Sequence, residues 1–222
     1  MMPSVLPRVY LVTDAAWRAE LVPRVARALA GLPSRAVAVQ VRVKGAEGRE
    51  LLALARALRE VARRAGQLLL VNDRLDVALA AGADGVHLPS AGVPPAEARR
   101  LLGPGALVGA SCHSDEEVRR ARDGGADFAT FGPVFETPSK LAYGPPVGLD
   151  RLRQAASLGL PIFGLGGVEA RNAEQVLRAG AFGLAAIRSW LSPPEPEGAV
   201  RALLSVTIGA PLHGPQGSGE GP

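Results

Sequence analysis

The feature that most constrains the fold is an alternation, repeated eight times, between short apolar runs and longer helix-like segments. The runs are short and rich in β-branched or other apolar residues, which predicts buried strands. We place the eight strands at residues 9–13, 36–43, 68–71, 85–88, 107–111, 128–131, 162–165 and 184–187.

The segments between the runs have helical periodicity and a composition of Ala, Leu, Arg and Glu. Residues 50–65 carry leucines at helical spacing, and residues 114–124 begin with Ser-Asp-Glu-Glu, as a capping box does. Eight strand–helix units predict a (β/α)8 TIM barrel with parallel strands and right-handed crossovers. An open doubly wound sheet is the rival, but it more often has a glycine-rich turn after the first strand, and Val12-Thr13-Asp14 is not that turn.

The length fits a single domain. We assign residues 1–208 to the barrel and residues 209–222, which are rich in Gly, Pro and Ser, to a disordered tail. No apolar run reaches the roughly 18 residues of a membrane span, and the amino terminus lacks the pattern of a secretory signal. Cys112 is the only cysteine, which suits a reducing compartment. We therefore expect a cytoplasmic protein without a membrane partner.

The charge pattern argues against nucleic-acid binding. The net charge is +4, but acids and arginines are interspersed along the helices, which is typical of solvated faces. Aromatic residues make up only 4% of the chain, too few for a stacking surface. We expect a small-molecule ligand, and the sequence leaves open whether the protein forms a homo-oligomer.

Two lysines stand out because the chain otherwise uses arginine. Of the 25 Lys and Arg residues, only Lys44 and Lys140 are lysines, and each follows a predicted strand. Lysine is a compact, mobile point charge that suits a phosphate, whereas arginine is a rigid fork. The pair predicts a phosphate or pyrophosphate site at one end of the barrel, although two surface lysines could also survive by chance.

The exit of the seventh predicted strand is rich in glycine. Gly166 and Gly167 lack Cβ atoms, so their N–H groups can approach an anion closely. Phosphate sites in TIM barrels are frequently built from the loops after strands seven and eight, and the eighth run ends at Ile187 and is followed by Arg188. We predict a phosphate site here, and the alternative is a simple tight turn.

Polar side chains leave the second strand as well. Gln40, Arg42 and Lys44 alternate, so they would share one side of the strand. Three hydrogen-bonding side chains in a barrel mouth are costly without a polar ligand. The alternative is a strand end that runs out into water.

Other strand exits are ambiguous. Asp73 follows Asn72 at the end of the third strand and could hold a metal or cap the next helix, and the spacing favours the cap. His87 is typical of a hydrogen-bonded core histidine. His113 is an acid–base candidate because imidazole titrates near neutral pH, and Cys112 beside it is typical of a small buried side chain.

Jointly these segments resemble the thiamin phosphate synthase superfamily. The matching segments are residues 40–44, 69–78, 82–88, 109–113, 132–140 and 164–172. The resemblance implies a TIM barrel that serves thiamin synthesis, with a thiazole phosphate and a hydroxymethylpyrimidine pyrophosphate as ligands. With the strand exits, it implies these substrate- and phosphate-binding residues: Gln40, Arg42, Lys44, Asn72, Ser111, Thr137, Ser139, Lys140, Gly166, Gly167, Ile187 and Arg188.

One branch of the family, the synthase, joins the two ligands and uses Mg²⁺. The resemblance implies two metal-holding aspartates, one at the end of strand three and one in a Gly-Gln-x-Asp segment after strand four. Asp73 supplies the first, but the second segment reads Pro89-Ser90-Ala91-Gly92, so Gly92 replaces the aspartate. One carboxylate is a poor Mg²⁺ site unless water and substrate phosphates complete the shell.

The other branch, often called TenI, looks like a thiazole tautomerase, which aromatises its substrate by proton transfer. The chain resembles it at residues 88–90 (Leu-Pro-Ser) and 134–137 (Val-Phe-Glu-Thr). The histidine of that branch falls on Pro133, which cannot move a proton. His113 and Glu136 are the substitutes that this chain offers as catalytic residues.

We therefore predict a TenI-like enzyme that binds thiazole phosphate and acts as a tautomerase without a cofactor. The phosphate end matches the family, whereas the Mg²⁺ end lacks one aspartate. The alternative is a thiamin phosphate synthase that uses Mg²⁺ and releases pyrophosphate. A second alternative is a non-catalytic phosphate-ligand sensor or regulatory protein on the same barrel.

Overall fold

The strands of the protein close into a barrel. The computed structural model describes residues 6–137 and 145–208. All neighbouring strands are parallel and follow in chain order, with the eighth paired to the first. The strands are β1 Val9–Val12, β2 Val37–Val41, β3 Leu68–Asn72, β4 Gly85–Leu88, β5 Leu107–Cys112, β6 Phe128–Phe131, β7 Ile162–Leu165 and β8 Gly183–Ala186. The predicted TIM barrel is confirmed, and the eight predicted strands are all present.

Helices connect the strands on the outside of the barrel. A 3₁₀ helix at Ala15–Glu20 follows β1. The α-helices are α1 Leu21–Leu29, α2 Gly48–Arg64, α3 Leu75–Ala81, α4 Pro95–Leu102, α5 Asp115–Asp123, α6 Gly148–Ala156, α7 Ala170–Arg178, α8 Arg188–Leu191 and α9 Pro196–Ile208. The predicted cap of α5 is observed, since the Ser114 hydroxyl accepts the N–H of Glu117 at 3.3 Å. Within the two described ranges, no helix is long and apolar enough to cross a membrane.

The barrel interior is filled by aromatic rings near its amino-terminal end. The ring centroids of Tyr10 and Phe128 are 5.2 Å apart, and Phe163 lies 5.2 Å from Phe128. Glycines make room for these rings, because a Cβ at Gly109 would lie 2.4 Å from Phe128 and one at Gly183 would lie 2.6 Å from Phe163. Several inward-facing residues further along the strands are polar, among them Gln40, His87 and Thr130. The carboxyl ends of the strands are where TIM barrels bind their ligands.

Carboxylates fasten the amino-terminal end of the barrel. Asp127 Oδ2, just before β6, accepts the N–H of Val108 at 2.6 Å and is paired with Arg99 Nη2 at 2.7 Å. Asp84, just before β4, accepts the N–H of Leu69 at 2.8 Å in the same way. Each carboxylate thus satisfies one N–H near the start of the preceding strand, which would otherwise be buried without an acceptor.

Candidate functional site

The carboxyl ends of the strands carry most of the polar residues predicted from the sequence. Because the strands are parallel and closed into a barrel, these ends meet on one face. The described residues that reach it after or at the ends of their strands are Arg42, Lys44, Asn72, Asp73, Ser111, His113, Glu136, Thr137, Gly166, Gly167, Ile187 and Arg188. Ser139 and Lys140 lie outside the described residues, so their predicted role stays a prediction.

The second strand does not present three equivalent side chains. Gln40 is buried inside the barrel, and its Nε2 donates to the hydroxyl of Tyr10 at 3.0 Å. β2 ends at Val41, so Arg42 is half-buried and Lys44 is exposed in the loop that follows. The Gln40 amide N–H is thus held by a phenol deeper in the barrel, and its role in substrate binding stays a prediction.

Thr13 holds the loop after β2 in place. Its Oγ1 accepts the N–H of Arg42 at 2.8 Å and donates to the carbonyl of Arg42 at 3.1 Å. This double contact joins the exits of β1 and β2. It fixes the backbone of Arg42, from which the guanidinium extends at the mouth of the barrel.

A polar layer lies just below the mouth. His87 Nε2 lies 3.0 Å from Ser111 Oγ and 3.4 Å from Thr130 Oγ1. Burial, together with the smaller effect of the positive charge of Arg42, lowers the pKa of His87 to about 3. The imidazole is therefore neutral at physiological pH, as expected for a core histidine.

Tyr10 and Thr130 were not predicted as part of this layer. Burial raises the pKa of Tyr10, so it is a neutral phenol that can pair with Gln40. Both residues lie within runs that read as apolar strands, and only the period-two alternation places them inside the barrel. Counting which strand positions face inward would have identified them.

Asp73 adopts an unusual backbone conformation at the end of β3. Its φ is 64°, in the left-handed region that non-glycine residues rarely occupy. Its N–H donates to the carbonyl of His87 at 2.9 Å, and its side chain is exposed. α3 begins with Arg74 at the N-cap and without a side-chain cap bond, so the expectation that Asp73 caps this helix is wrong. The carboxylate remains available to a ligand at the mouth.

The loop after β4 offers no second carboxylate. Ser90 is exposed, and Gly92 closes a turn in which its N–H donates to the carbonyl of Pro89 at 2.9 Å. Among the described residues no group of three or more His, Cys, Asp or Glu side chains could hold a metal. Asp73 fits a single Mg²⁺ ligand, since Mg²⁺ is commonly bound by one or two carboxylates together with substrate phosphates and water.

The glycine-rich exit of β7 packs tightly against the loop after β6. Gly166 and Gly167 have φ values of 99° and 66°. A Cβ at Gly166 would lie 2.6 Å from Pro133, and one at Gly167 would lie 2.7 Å from Phe135. Both positions therefore require glycine, for conformation and for space. The Asn172 amide donates to the carbonyl of Gly167 at 2.8 Å, which fixes the loop at the start of α7.

The predicted phosphate site falls at the exits of β7 and β8, and its role stays a prediction. Gly167 N–H has no acceptor among the described residues, and Arg188 begins α8 next to it in the strand order. Arg188 is exposed and makes no ion pair within the described part of the chain. An N–H group and a guanidinium without protein partners suit an anion.

His113 is held at the exit of β5. Its Nδ1 lies 2.6 Å from the carbonyl oxygen of Gly132, and its N–H donates to Glu117 Oε2 at 2.5 Å. Because a carbonyl only accepts, Nδ1 carries the hydrogen and Nε2 is the acceptor. Glu136 is exposed on the next loop. The structure records no contact between the two proposed catalytic side chains.

A depression at the opposite end of the barrel has none of these features. It has a volume of about 440 Å³, and Arg35 and Asp84 are its charged residues. The Asp84 carboxylate already accepts the N–H of Leu69 and forms an ion pair with Arg59 at 3.2 Å. The chemistry-bearing residues lie at the carboxyl face instead.

Comparison with known proteins gives a consistent family assignment. The model of the family described as "Thiamine monophosphate synthase" matches residues 9–190. A thiamine-phosphate synthase of Roseiflexus sp. (strain RS-1) is 43% identical over 205 residues, which cover 91% of this chain and 86% of the relative. A Geobacter sulfurreducens protein, provisionally named a thiamine-phosphate synthase, is 48% identical over 200 residues, covering 89% of this chain and 92% of that protein.

A solved structure agrees with these relatives. Thiamine phosphate pyrophosphorylase from Pyrococcus furiosus superposes with a TM-score of 0.79 at 32% identity, covering 90% of this chain and 95% of that chain. These names belong to the synthase, so the comparisons favour that branch over the TenI-like branch predicted from the sequence.

Proposed function

Because the chain belongs to the thiamine monophosphate synthase family, we propose that it is the synthase of thiamin biosynthesis itself. It would join hydroxymethylpyrimidine pyrophosphate to thiazole phosphate. The thiazole nitrogen forms a C–N bond to the exocyclic carbon of the pyrimidine, and the bond from that carbon to the pyrophosphate oxygen breaks. Pyrophosphate leaves with the electron pair of that bond.

The observation that carries this proposal is a set of cations without acidic partners on one face. None of the ion pairs among the described residues involves Arg42, Lys44 or Arg188, although many other arginines of the chain are paired. The exits of β7, β8, β1, β2 and β3 are consecutive around the barrel, so these cations line one continuous arc. Two phosphorylated ligands would satisfy them.

The residues of this arc have separate tasks in the proposed reaction. Gly167 N–H and Arg188 would bind the phosphate of the thiazole, while Arg42 and Lys44 would bind the departing pyrophosphate. Cations at the leaving group favour bond breakage because negative charge develops there. The half-buried Ser111 lies on the opposite arc, where it can contact the pyrimidine.

Asp73 is the residue that would hold Mg²⁺. Its carboxylate is exposed and does not serve as a helix cap. Mg²⁺, when bound, would neutralise charge on the pyrophosphate. With Gly92 in place of the second aspartate, the remaining ligands would come from the pyrophosphate and water.

A tautomerase is the second candidate, because of His113. With Nδ1 held by the Gly132 carbonyl, its Nε2 could accept a proton from the thiazole ring. Pro133 counts against this function, since it occupies the position of the tautomerase histidine in the family resemblance.

An assay of both reactions separates the two functions. Purified protein is incubated with the two phosphorylated substrates and Mg²⁺, and separately with the thiazole carboxylate tautomer alone. We expect thiamin phosphate from the first mixture. His113→Asn should leave this activity within about threefold, because the coupling reaction needs no proton from the thiazole ring carbon, but would lower a tautomerase kcat by at least about tenfold. Glu136→Gln is measured alongside as the matched control, because Glu136 is the other candidate for the proton transfer of a tautomerase.

A further inference from the structure

His87 lies beneath a hydroxyl group that can reach the substrate. In the strand register His87 pairs with Gly109, so Ser111 lies two residues nearer the mouth. His87 is 1% exposed, whereas Ser111 is half-buried. The 3.0 Å contact between His87 Nε2 and Ser111 Oγ thus joins the buried layer to the open end of the barrel.

The second ring nitrogen of His87 identifies the tautomer. Nδ1 is buried and has no hydrogen-bond partner among the described residues. Gly109 lies against it, because a Cβ there would come within 2.7 Å of Nδ1. A buried N–H without an acceptor is rarer than a buried lone pair without a donor. The neutral ring is therefore favoured with its hydrogen on Nε2, the nitrogen that contacts Ser111 and Thr130.

We propose that His87 is a positioning residue: it donates Nε2–H to Ser111 Oγ and so directs the Ser111 hydroxyl hydrogen toward the mouth. A hydroxyl has one hydrogen and two acceptor sites. When the imidazole occupies one acceptor site from below, the O–H is turned away from the ring. Ser111 then donates to an acceptor atom of the bound substrate, such as a ring nitrogen of the pyrimidine.

Two amide replacements distinguish this role from simple packing. Glutamine can place its amide N–H about as far from the backbone as imidazole Nε2, whereas asparagine is too short to reach Ser111. His87→Gln keeps a donor for Ser111, and His87→Asn loses it. A purely structural role would not separate the two variants in this way. This kinetic test rests on the proposed synthase function.

Steady-state kinetics of thiamin phosphate formation provide the first measurement. We expect His87→Asn and Ser111→Ala each to lower kcat by about tenfold or more, the effect of one lost hydrogen bond in the transition state. The double variant should be no slower than Ser111→Ala alone, because both changes remove the same interaction. His87→Gln should stay within about threefold of the unchanged protein. Additive losses, or a His87→Gln variant as slow as His87→Asn, would overturn the proposal.

Thr130→Val is the matched control for kinetics. It removes the other hydroxyl near His87, at 3.4 Å, while it keeps the side-chain shape. We expect it to reduce kcat by less than about threefold. A loss as large as that of Ser111→Ala would mean that any buried hydroxyl beside the ring matters, and the proposal would fail.

The tautomer itself is measured on the ligand-free protein, independently of activity. In ¹⁵N-labelled histidine spectra, we expect His87 Nε2 to give the protonated signal and Nδ1 the unprotonated one. A protonated Nδ1 would overturn the assignment. If the unchanged protein makes no thiamin phosphate, the synthase proposal fails, and these spectra still decide the state of His87.

Discussion

The backbone at Gly92 lies against the ring of Pro89. A Cβ at Gly92 would come within 2.8 Å of Cγ and Cδ of that proline and 3.1 Å from its carbonyl oxygen. The loop after β4 therefore has no space for the side chain that the family resemblance places there. The absent aspartate and the proline three residues earlier belong to one altered loop.

The first prediction concerns restoration of that loop. Gly92→Asp alone should not increase the affinity for Mg²⁺, because its Cβ meets the proline ring. Pro89→Gly with Ser90→Gln and Gly92→Asp removes the obstacle and recreates the Gly-Gln-x-Asp segment. We expect the triple variant to bind Mg²⁺ at least about tenfold more tightly in the presence of pyrophosphate, since a second carboxylate is added. Titration calorimetry measures this, and equal affinities for the single and triple variants would show that Pro89 is not the obstacle.

The second prediction concerns the phosphate end. Arg188→Ser removes a charge-assisted contact, so the Kd for thiazole phosphate should rise about 10- to 100-fold. Arg178→Ser is the control, because Arg178 is an exposed arginine at the far end of α7 and the net charge changes equally. Calorimetric titration of both variants checks this. Similar affinities for the two variants would show that Arg188 does not bind the phosphate.

Much of the fold followed from the sequence because strand–helix alternation is a local signal. The end of β2 did not follow from the sequence. The strand ends at Val41 because Thr13 Oγ1 hydrogen-bonds both the N–H and the carbonyl of Arg42, a contact between residues 29 positions apart. The cap predicted at Asp73 failed for a related reason, since its N–H pairs with His87 across the sheet. Local spacing cannot reveal such contacts.

The backbone geometry of the candidate site was predictable where a residue type alone carries it. Gly166 and Gly167 were singled out as glycines at a strand exit, and both have the positive φ that favours glycine. The sequence position of Gln40 does not show the buried Tyr10 hydroxyl that accepts from its amide. Partners inside a closed barrel come from distant strands, so they become visible only once the strands are in register.

The third prediction concerns stability at the amino-terminal end of the barrel. Asp127→Ala leaves the N–H of Val108 without an acceptor and Arg99 without its ion pair. We expect the free energy of unfolding to fall by about 1–3 kcal/mol. Glu174→Ala, which breaks an exposed pair with Arg178, should change it by less than about 0.5 kcal/mol. Denaturant titrations measure both, and equal effects would contradict the structural role of Asp127.

The fourth prediction concerns pH. Burial holds the pKa of His87 at about 3 in the folded protein, below the ordinary value of about 6.5 in the unfolded chain. Between these values the unfolded chain binds a proton that the folded protein does not. The stabilising contribution is therefore complete above pH 6.5 and is lost as pH falls toward 3, by up to about 1.4 kcal/mol per pH unit.

His87→Gln removes this titration. Between pH 6.5 and 5 the unchanged protein should lose about 1.6 kcal/mol more stability than the variant. Denaturant unfolding across this range measures the difference. Parallel curves for the two proteins would show that His87 titrates normally in the folded state.

The most direct test of the proposed function is product analysis with both phosphorylated substrates and Mg²⁺. We expect thiamin phosphate and pyrophosphate in equal amounts, with synthesis greatly reduced in Asp73→Asn and Arg188→Ser. The proposed function would be contradicted by a protein that forms no thiamin phosphate yet converts the thiazole carboxylate tautomer without Mg²⁺.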